Sequence, residues 1–341
     1  MIPLYPDSKI YIFCTANFAT GGPEALHQLA YHLKLIGHKH VFMYYLFPDN
    51  NKTANPVHPF YKNYNTVIVN EIENRVENLI ILPETYLDPV FDISFSEVRK
   101  AIWWLSVTNY YKILIPQIRR AKRKPIYWIR LLYNPVKFGT FKELKKRKLY
   151  HIAHSYFSQV HLLENGINPD GRISDYMNQT FFKMADKAAI KEDLILYNPK
   201  KNDKFLQTVI SHCPDLTWIP LIDMSPSEIA DWMNRSKVYI DFGYHPGKER
   251  MPREACIMKC CLIIGKEGSA KYPEDMPIPE QYKFEKDLRE IGAITKKIYD
   301  CLNKYEETVH DFDEYRSILF AEEERFEIDI QKTFQLNYRI K

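Results

Sequence analysis

At 341 residues the chain has room for two domains of about 150 residues each. Its 45% hydrophobic and 26% charged residues exclude an extended disordered protein. A net charge of only +4, with no recognisable base-reading motif, excludes a typical nucleic-acid binder, so no nucleic-acid partner is expected.

The six cysteines form no CxxC pair and no zinc-ligand spacing. They are expected to be buried thiols in a reducing compartment. The opening MIPLYPDSKIYIFC lacks the basic-then-apolar pattern of a secretion signal. No apolar run approaches the roughly 20 residues that span a bilayer. A cytoplasmic protein is expected, with peripheral contact at the inner face of the membrane left open.

Lys9 to Cys14 reads as a first parallel strand. Gly21 and Gly22 then open a turn, Pro23 starts a helix, and Leu26, Leu29, Ala30 and Leu33 keep one face apolar up to Gly37. With a second strand at Val41–Leu46 this makes a βαβ unit. A glycine pair before a helix allows close backbone approach to a phosphate, and the helix start adds partial positive charge; it also occurs as a plain tight connection. The stretch is not GxGxxG, which weighs against a dinucleotide-dependent oxidoreductase.

Residues 51–65 read as a loop, followed by strands at Thr66–Val69, Asn78–Leu82 and Lys100–Leu105. Two basic bursts follow, RRAKRK at 119–124 and KELKKRK at 142–148, with Tyr127, Trp128 and Phe138 nearby. They suit solvated helix faces, an anionic acceptor or an anionic membrane surface. Tyr150–Phe157 reads as the last strand of the first half, carrying His151 and His154. A helix closing at Gly166 and a linker NPDGRI complete that half.

The second half repeats the pattern. Strands are expected at Asp193–Asn198, Leu216–Pro220, Val238–Phe242 and Cys261–Ile264, with a helix at 203–211. In SPSEIADWMNRS, Ser225 and Glu228 have the spacing of a capping box. A helix over Lys286–Tyr305, with Leu288, Ile291, Ile294, Ile298 and Leu302 on one face, and an acidic helix over 311–327 end the fold.

The organising stretch is VYIDFGYHPGKERMPREACIMKCCLII. Strand, polar loop, helix start and second strand follow one another. Pro252 is expected at the first helical position and Glu254 within the first turn. Ligands of open α/β sheets bind at the carboxyl ends of strands, and helix N-termini there attract phosphate.

Two α/β halves, the Gly21–Gly22 turn, the pair Lys200–Lys201 after the first strand of the second half, and Pro-x-Glu-Ala at 252–255 together resemble the GT-B glycosyltransferases. The resemblance is to the retaining, family-4-like group found in bacterial surface-polysaccharide synthesis. It implies an α/β fold of two Rossmann-like domains with parallel sheets facing across a cleft. Residues 1–168 would form the acceptor-side domain and 169–310 the nucleotide-sugar donor domain, with 311–341 crossing back.

The resemblance further implies a transferase moving a sugar from a nucleotide-diphosphate sugar to a glycan or lipid-linked acceptor, with no resident cofactor and no metal. Gly21, Gly22, Lys200 and Lys201 would lie on the diphosphate and Glu254 on the ribose. Lys248, Arg250, Gly268 and Ser269 would complete the donor site. The family's first motif glutamate falls on Pro246 here, so His154, His245 and Glu249 are the candidates for catalytic roles. A non-catalytic nucleotide-binding scaffold of the same fold, a plain structural α/β protein and a nucleotide-dependent oxidoreductase are the alternatives.

Overall fold

The computed structural model describes residues 1–47, 55–124, 137–186, 188–201 and 204–336. Tyr127, Trp128, residues 51–54 of the expected loop and residue 203 of an expected helix lie outside the described residues. The chain forms two compact units, Met1–Asp175 together with Phe326–Lys341, and Tyr176–Arg325. The first division falls after Asp175 and the return at Phe326, where the sequence suggests 168 and 311.

The first unit is built on β2 (Ile10–Thr15), β3 (Val41–Leu46), β4 (Val67–Ile68), β5 (Leu79–Pro83), β6 (Arg99–Trp104), β7 (Tyr150–Ala153) and β8 (Gly171–Arg172). They form one parallel sheet in the order β4-β3-β2-β5-β6-β7-β8. β5, Leu-Ile-Ile-Leu-Pro, is buried at every position, as a strand covered on both faces must be. A small parallel pair of β1 (Ile2–Leu4) with β14 (Phe334–Leu336) ties the two ends of the chain together, Ile2 opposite Phe334.

The second unit carries β9 (Glu192–Tyr197), β10 (Thr217–Pro220), β11 (Ser236–Asp241), β12 (Cys261–Gly265) and β13 (Lys283–Phe284), all parallel, in the order β10-β9-β11-β12-β13. All six cysteines are buried thiols. Among the described residues no helix is long and apolar enough to cross a membrane.

Local differences from expectation have clear causes. The first long helix spans Gly21–Leu35 with Thr20 as N-cap, so Gly21 and Gly22 are its first residues rather than a turn before Pro23. Pro23 is tolerated at the third position because the first four N–H groups of a helix have no internal partner. The strand expected to run to Phe157 stops at Ala153; Ser155 caps a helix Tyr156–Glu164 through a serine capping box with Ser158. The expected linker NPDGRI contains β8, whose Gly171 pairs with Ile152.

In the second unit the helix after β11 spans Arg250–Ile257 with Glu249 as N-cap. Pro252 is therefore its third residue and Glu254 its fifth, past the first turn. Leu288 lies in a short 3-10 turn and is exposed, so the buried face begins at Ile291 in the helix Ile291–Asn303. The last acidic stretch is two helices, Asp313–Phe320 and Glu322–Thr333, broken at Ala321.

The capping box forms as its spacing suggests. Ser225 Oγ accepts from the Glu228 N–H, and the Glu228 carboxylate accepts from the Ser225 N–H at 2.7 Å. Ser225→Ala should lower stability by about 1 kcal/mol, the usual worth of such a cap. Denaturant unfolding measures it, and an unchanged midpoint would mean that Pro226–Arg235 does not depend on its cap.

Candidate functional site

In the second unit the strand order reverses between β9 and β11. The chain leaves β9 towards β10 on one side, and leaves β11 towards β12 on the other. The loops beyond their carboxyl ends therefore diverge and leave a crevice, the usual ligand position of an open parallel sheet. The residues singled out in this half gather there. Lys200 and Lys201 follow β9 in a 3-10 turn, residues 242–249 follow β11, and Gly268–Ser269 follow β12.

Lys201 is the centre of this edge. Its Nζ donates to Glu249 Oε2 at 2.6 Å and lies 3.7 Å from Asp241 Oδ2, the last residue of β11. The loop passes so close that a Cβ on Gly243 would stand 2.5 Å from Lys201 Cβ and 2.9 Å from Asp241 Oδ1. Instead the Gly243 N–H donates to that oxygen at 2.8 Å. Lys201 is thus engaged by two carboxylates. Lys200 is exposed; its N–H is turned by Asn198 Oδ1, and no bond to its ammonium is found among the described residues.

The other loop residues are held in place from further away. Lys248 Nζ donates to Glu322 Oε1 at 2.7 Å, and Arg253 NH1 donates to Glu322 Oε2 at 3.1 Å. Arg253 also donates to the carbonyls of Lys248 and Glu249, and is almost completely buried. Arg250 donates through Nε and NH2 to Glu254 Oε1, at 3.1 and 3.0 Å, with its guanidinium over the Phe181 ring. Glu254 is buried beneath that pair. Gly268, at φ +59°, is where a Cβ would collide with the His245 carbonyl at 1.9 Å; the Ser269 N–H donates to that carbonyl, and Ser269 Oγ donates to the Gly247 carbonyl.

His245 is fully enclosed. Neither ring nitrogen makes a well-formed hydrogen bond among the described residues, and Nε2 stands 3.7 Å from Asp241 Oδ1. Burial lowers its pKa, so the ring is neutral. The ring lies inside the loop that follows β11, beneath the Ser269 N–H that bonds the residue's carbonyl. Asp241, Arg253 and Glu322 escaped the sequence reading. Their pairing joins positions 40 to 74 residues apart, which no local spacing reveals.

In the first unit the corresponding reversal lies between β2 and β5. Gly21 and Gly22 open the helix that follows β2, and a Cβ on Gly21 would meet nothing within 4 Å. His154 is buried beyond β7. Its Nε2 accepts from the Asp175 N–H at 3.3 Å, while Nδ1 has no partner among the described residues. His151 is structural: Nδ1 accepts from Trp104 Nε1 at 3.1 Å, and burial pushes its pKa down to about 4. His154 and His151 therefore do not meet as a pair.

Glu84, immediately after β5, was not foreseen. Its Oε2 accepts from the Leu105 N–H at 2.9 Å, and burial pushes its pKa up to about 8.

The sequence matches no family model and no curated protein. The fold is shared with solved glycosyltransferase structures. One is HepE from Anabaena in complex with UDP-glucose, 10% identical, TM-score 0.59, covering 95% of this chain and 98% of that one. Others are sucrose-phosphate synthase from Thermosynechococcus elongatus, 13% identical, TM-score 0.64, covering 95% and 98%, and a glycosyltransferase from Rickettsia africae ESF-5, 15% identical, TM-score 0.53, covering 95% and 98%. The chain thus has the two-domain Rossmann-like fold of the GT-B glycosyltransferases, as its motifs suggest.

Two measurements check this geometry. Glu322→Ala leaves Lys248 and Arg253 without their carboxylate and should cost about 3–5 kcal/mol, the range for breaking a buried pair. Glu324→Ala, two positions on and exposed, should cost far less. Equal unfolding midpoints for the two variants would contradict the cluster.

Glu84 gives a pH signature. Its folded pKa of about 8 exceeds the usual 4.5, so between these values the folded state holds a proton that the unfolded state has lost. Stability should fall as pH rises through that window, by at most about 1.4 kcal/mol per pH unit from this group. Glu84→Gln removes the titration, so the variant should gain on the wild type as pH rises through the window. A constant difference would contradict a buried titrating carboxyl.

Proposed function

We propose that the protein is a glycosyltransferase that moves a sugar from a nucleoside diphosphate sugar to a glycan or lipid-linked acceptor. In this reading the Tyr176–Arg325 unit holds the donor and the first unit the acceptor. The observation that carries it is the convergence of Lys200, Lys201, Glu249 and the start of helix Arg250–Ile257 at the strand-order reversal of the second sheet, in a fold shared with sugar-nucleotide enzymes.

Transfer builds negative charge on the departing diphosphate. Lys200 and the open N–H groups at the start of helix Arg250–Ile257 supply preorganised positive charge for it. Lys201 reaches the same phosphates by exchanging Glu249 for them. Glu254 accepts from the ribose hydroxyls, with Arg250 orienting its carboxylate. Gly268 and Ser269 hold the far wall of the crevice, and Lys248 fixes the loop through Glu322. The fully enclosed His245 is a positioning residue, and Glu249 is the acid nearest the transferring centre.

We further infer a retaining, metal-independent reaction without a resident cofactor. The lysines do the work a bridging metal would do. Cell-surface polysaccharide is the expected product, made by an enzyme in peripheral contact with an anionic membrane through the basic stretches 119–124 and 142–148.

Two carboxylates on Lys201 and a proline in place of the first motif glutamate also suit a nucleotide-binding scaffold. Turnover of a nucleotide sugar separates the two.

Calorimetric titration tests the site, with UDP as first probe because HepE is described with it. Replacing both Lys200 and Lys201 by alanine should weaken UDP binding much more than uridine binding. Glu254→Gln should cost about 1.5–3 kcal/mol of UDP binding, the range for hydrogen bonds to charged groups. Equal losses for UDP and uridine in the lysine variant would defeat the phosphate assignment, and an unaltered UDP affinity in Glu254→Gln would remove that residue from the site.

A further inference from the structure

The first unit carries two cavities along the carboxyl edge of its own sheet. One, of about 380 Å³, lies between Glu84–Asp88 after β5, the helix Val107–Lys122 and the segment Lys137–Gly139. The other, of about 620 Å³, lies over the ends of β2, β3 and β4, at Thr15, Leu46 and Val69–Asn70. Both are lined by Thr85, Tyr86 and Ile113, so they are two halves of one trough divided at Tyr86.

The dividing ring is fixed. Tyr86 stacks on Phe13 at 6.0 Å with 22° between planes, and Phe13 packs on Tyr44 at 4.7 Å. The far wall is pinned as well, because Tyr110 Oη donates to the Gly139 carbonyl at 2.7 Å.

The chemistry differs along the trough. Tyr44, Phe47 and Tyr86 line it with rings, and Thr15 and Asn70 are polar neighbours; Tyr45, next to Tyr44 on β3, is buried on the other face and bonded to His27. Such a surface, apolar and planar with a few hydroxyl and amide groups, suits the face of a sugar ring. The smaller half is lined by three cations, Arg120, Lys124 and Lys137, and by two carboxyl groups, Asp88 and Glu84. Glu84 at its floor does not oppose an anion, because burial raises its pKa and keeps it largely neutral.

We propose that this trough is the acceptor site and that the acceptor is a saccharide bearing an anionic group. Sugar rings lie on the Tyr44–Tyr86 shelf, and a carboxylate or phosphate sits among Arg120, Lys124 and Lys137. The word acceptor rests on the transferase reading above; the anion seat does not. The anion comes either from the sugar itself, as in a uronic acid, or from the diphosphate that links a saccharide to a lipid carrier.

Calorimetry on the full chain at low salt tests this with three probes: hyaluronan tetrasaccharide, neutral chitotetraose and farnesyl diphosphate. The variant carries Arg120→Gln, Lys124→Gln and Lys137→Gln, three exposed positions whose exchange leaves the core intact. Hyaluronan tetrasaccharide should bind at least about tenfold tighter than chitotetraose, and the variant should lose about that factor for it alone, the worth of a charged hydrogen-bond seat. Farnesyl diphosphate binding that the variant loses supports the same seat and assigns the anion to a lipid linker.

The proposal is overturned if neither anionic probe binds, or if the variant binds them undiminished. UDP is titrated into the same samples. Its failure to bind wild type would defeat the donor reading without touching the anion seat, and its affinity should be equal in wild type and variant.

Discussion

The Glu322 carboxylate is the constraint on which the site of the second unit depends. It is buried and receives Lys248, Arg253 and the Met177 N–H. A buried carboxylate is costly unless its lone pairs are filled, so three donors are drawn to it. Two of them, Lys248 and Arg253, bracket Glu249 and the start of helix Arg250–Ile257. Arg253 in turn binds the Lys248 and Glu249 carbonyls, which sets the path of the loop on the other side. The helix start that would face a diphosphate is therefore aimed by a residue more than sixty positions away in the chain.

From that anchor the rest of the edge follows by close contact. Gly243 lets the loop lie against Lys201, and Gly268 lets the loop after β12 lie on the His245 carbonyl. His245 fills the space between, uncharged and enclosed. The ion pair of Lys201 with Glu249 holds the lysine between the ends of β9 and β11. A site of this kind is preorganised by backbone packing and offers charge that is already oriented, the condition under which electrostatic stabilisation is most effective.

Much of the architecture was legible because parallel strands buried on both faces read as continuous apolar runs. β5 and β12, Leu-Ile-Ile-Leu-Pro and Cys-Leu-Ile-Ile-Gly, are buried at every position, and β2, Ile-Tyr-Ile-Phe-Cys-Thr, at all but its last. β8, β1 and β14 were not legible: each is two or three residues long, too short for any periodicity. Pro252 misled on the helix start because proline is tolerated at any of the first helical positions, not the first alone. Within the site, Lys201 and Glu254 became candidates through the resemblance to the glycosyltransferases, and Glu249 as the acid nearest Pro246. Asp241, Arg253 and Glu322 could not be picked, since only the folded sheet brings them together.

The central claim is that the carboxyl edge of β9 and β11 receives a nucleoside diphosphate. Hydrogen–deuterium exchange with and without UDP addresses it directly. The account predicts slowed exchange in peptides covering 198–201 and 243–256, with the cores of both sheets unchanged. Protection confined to the first unit, or none at saturating UDP, would contradict it.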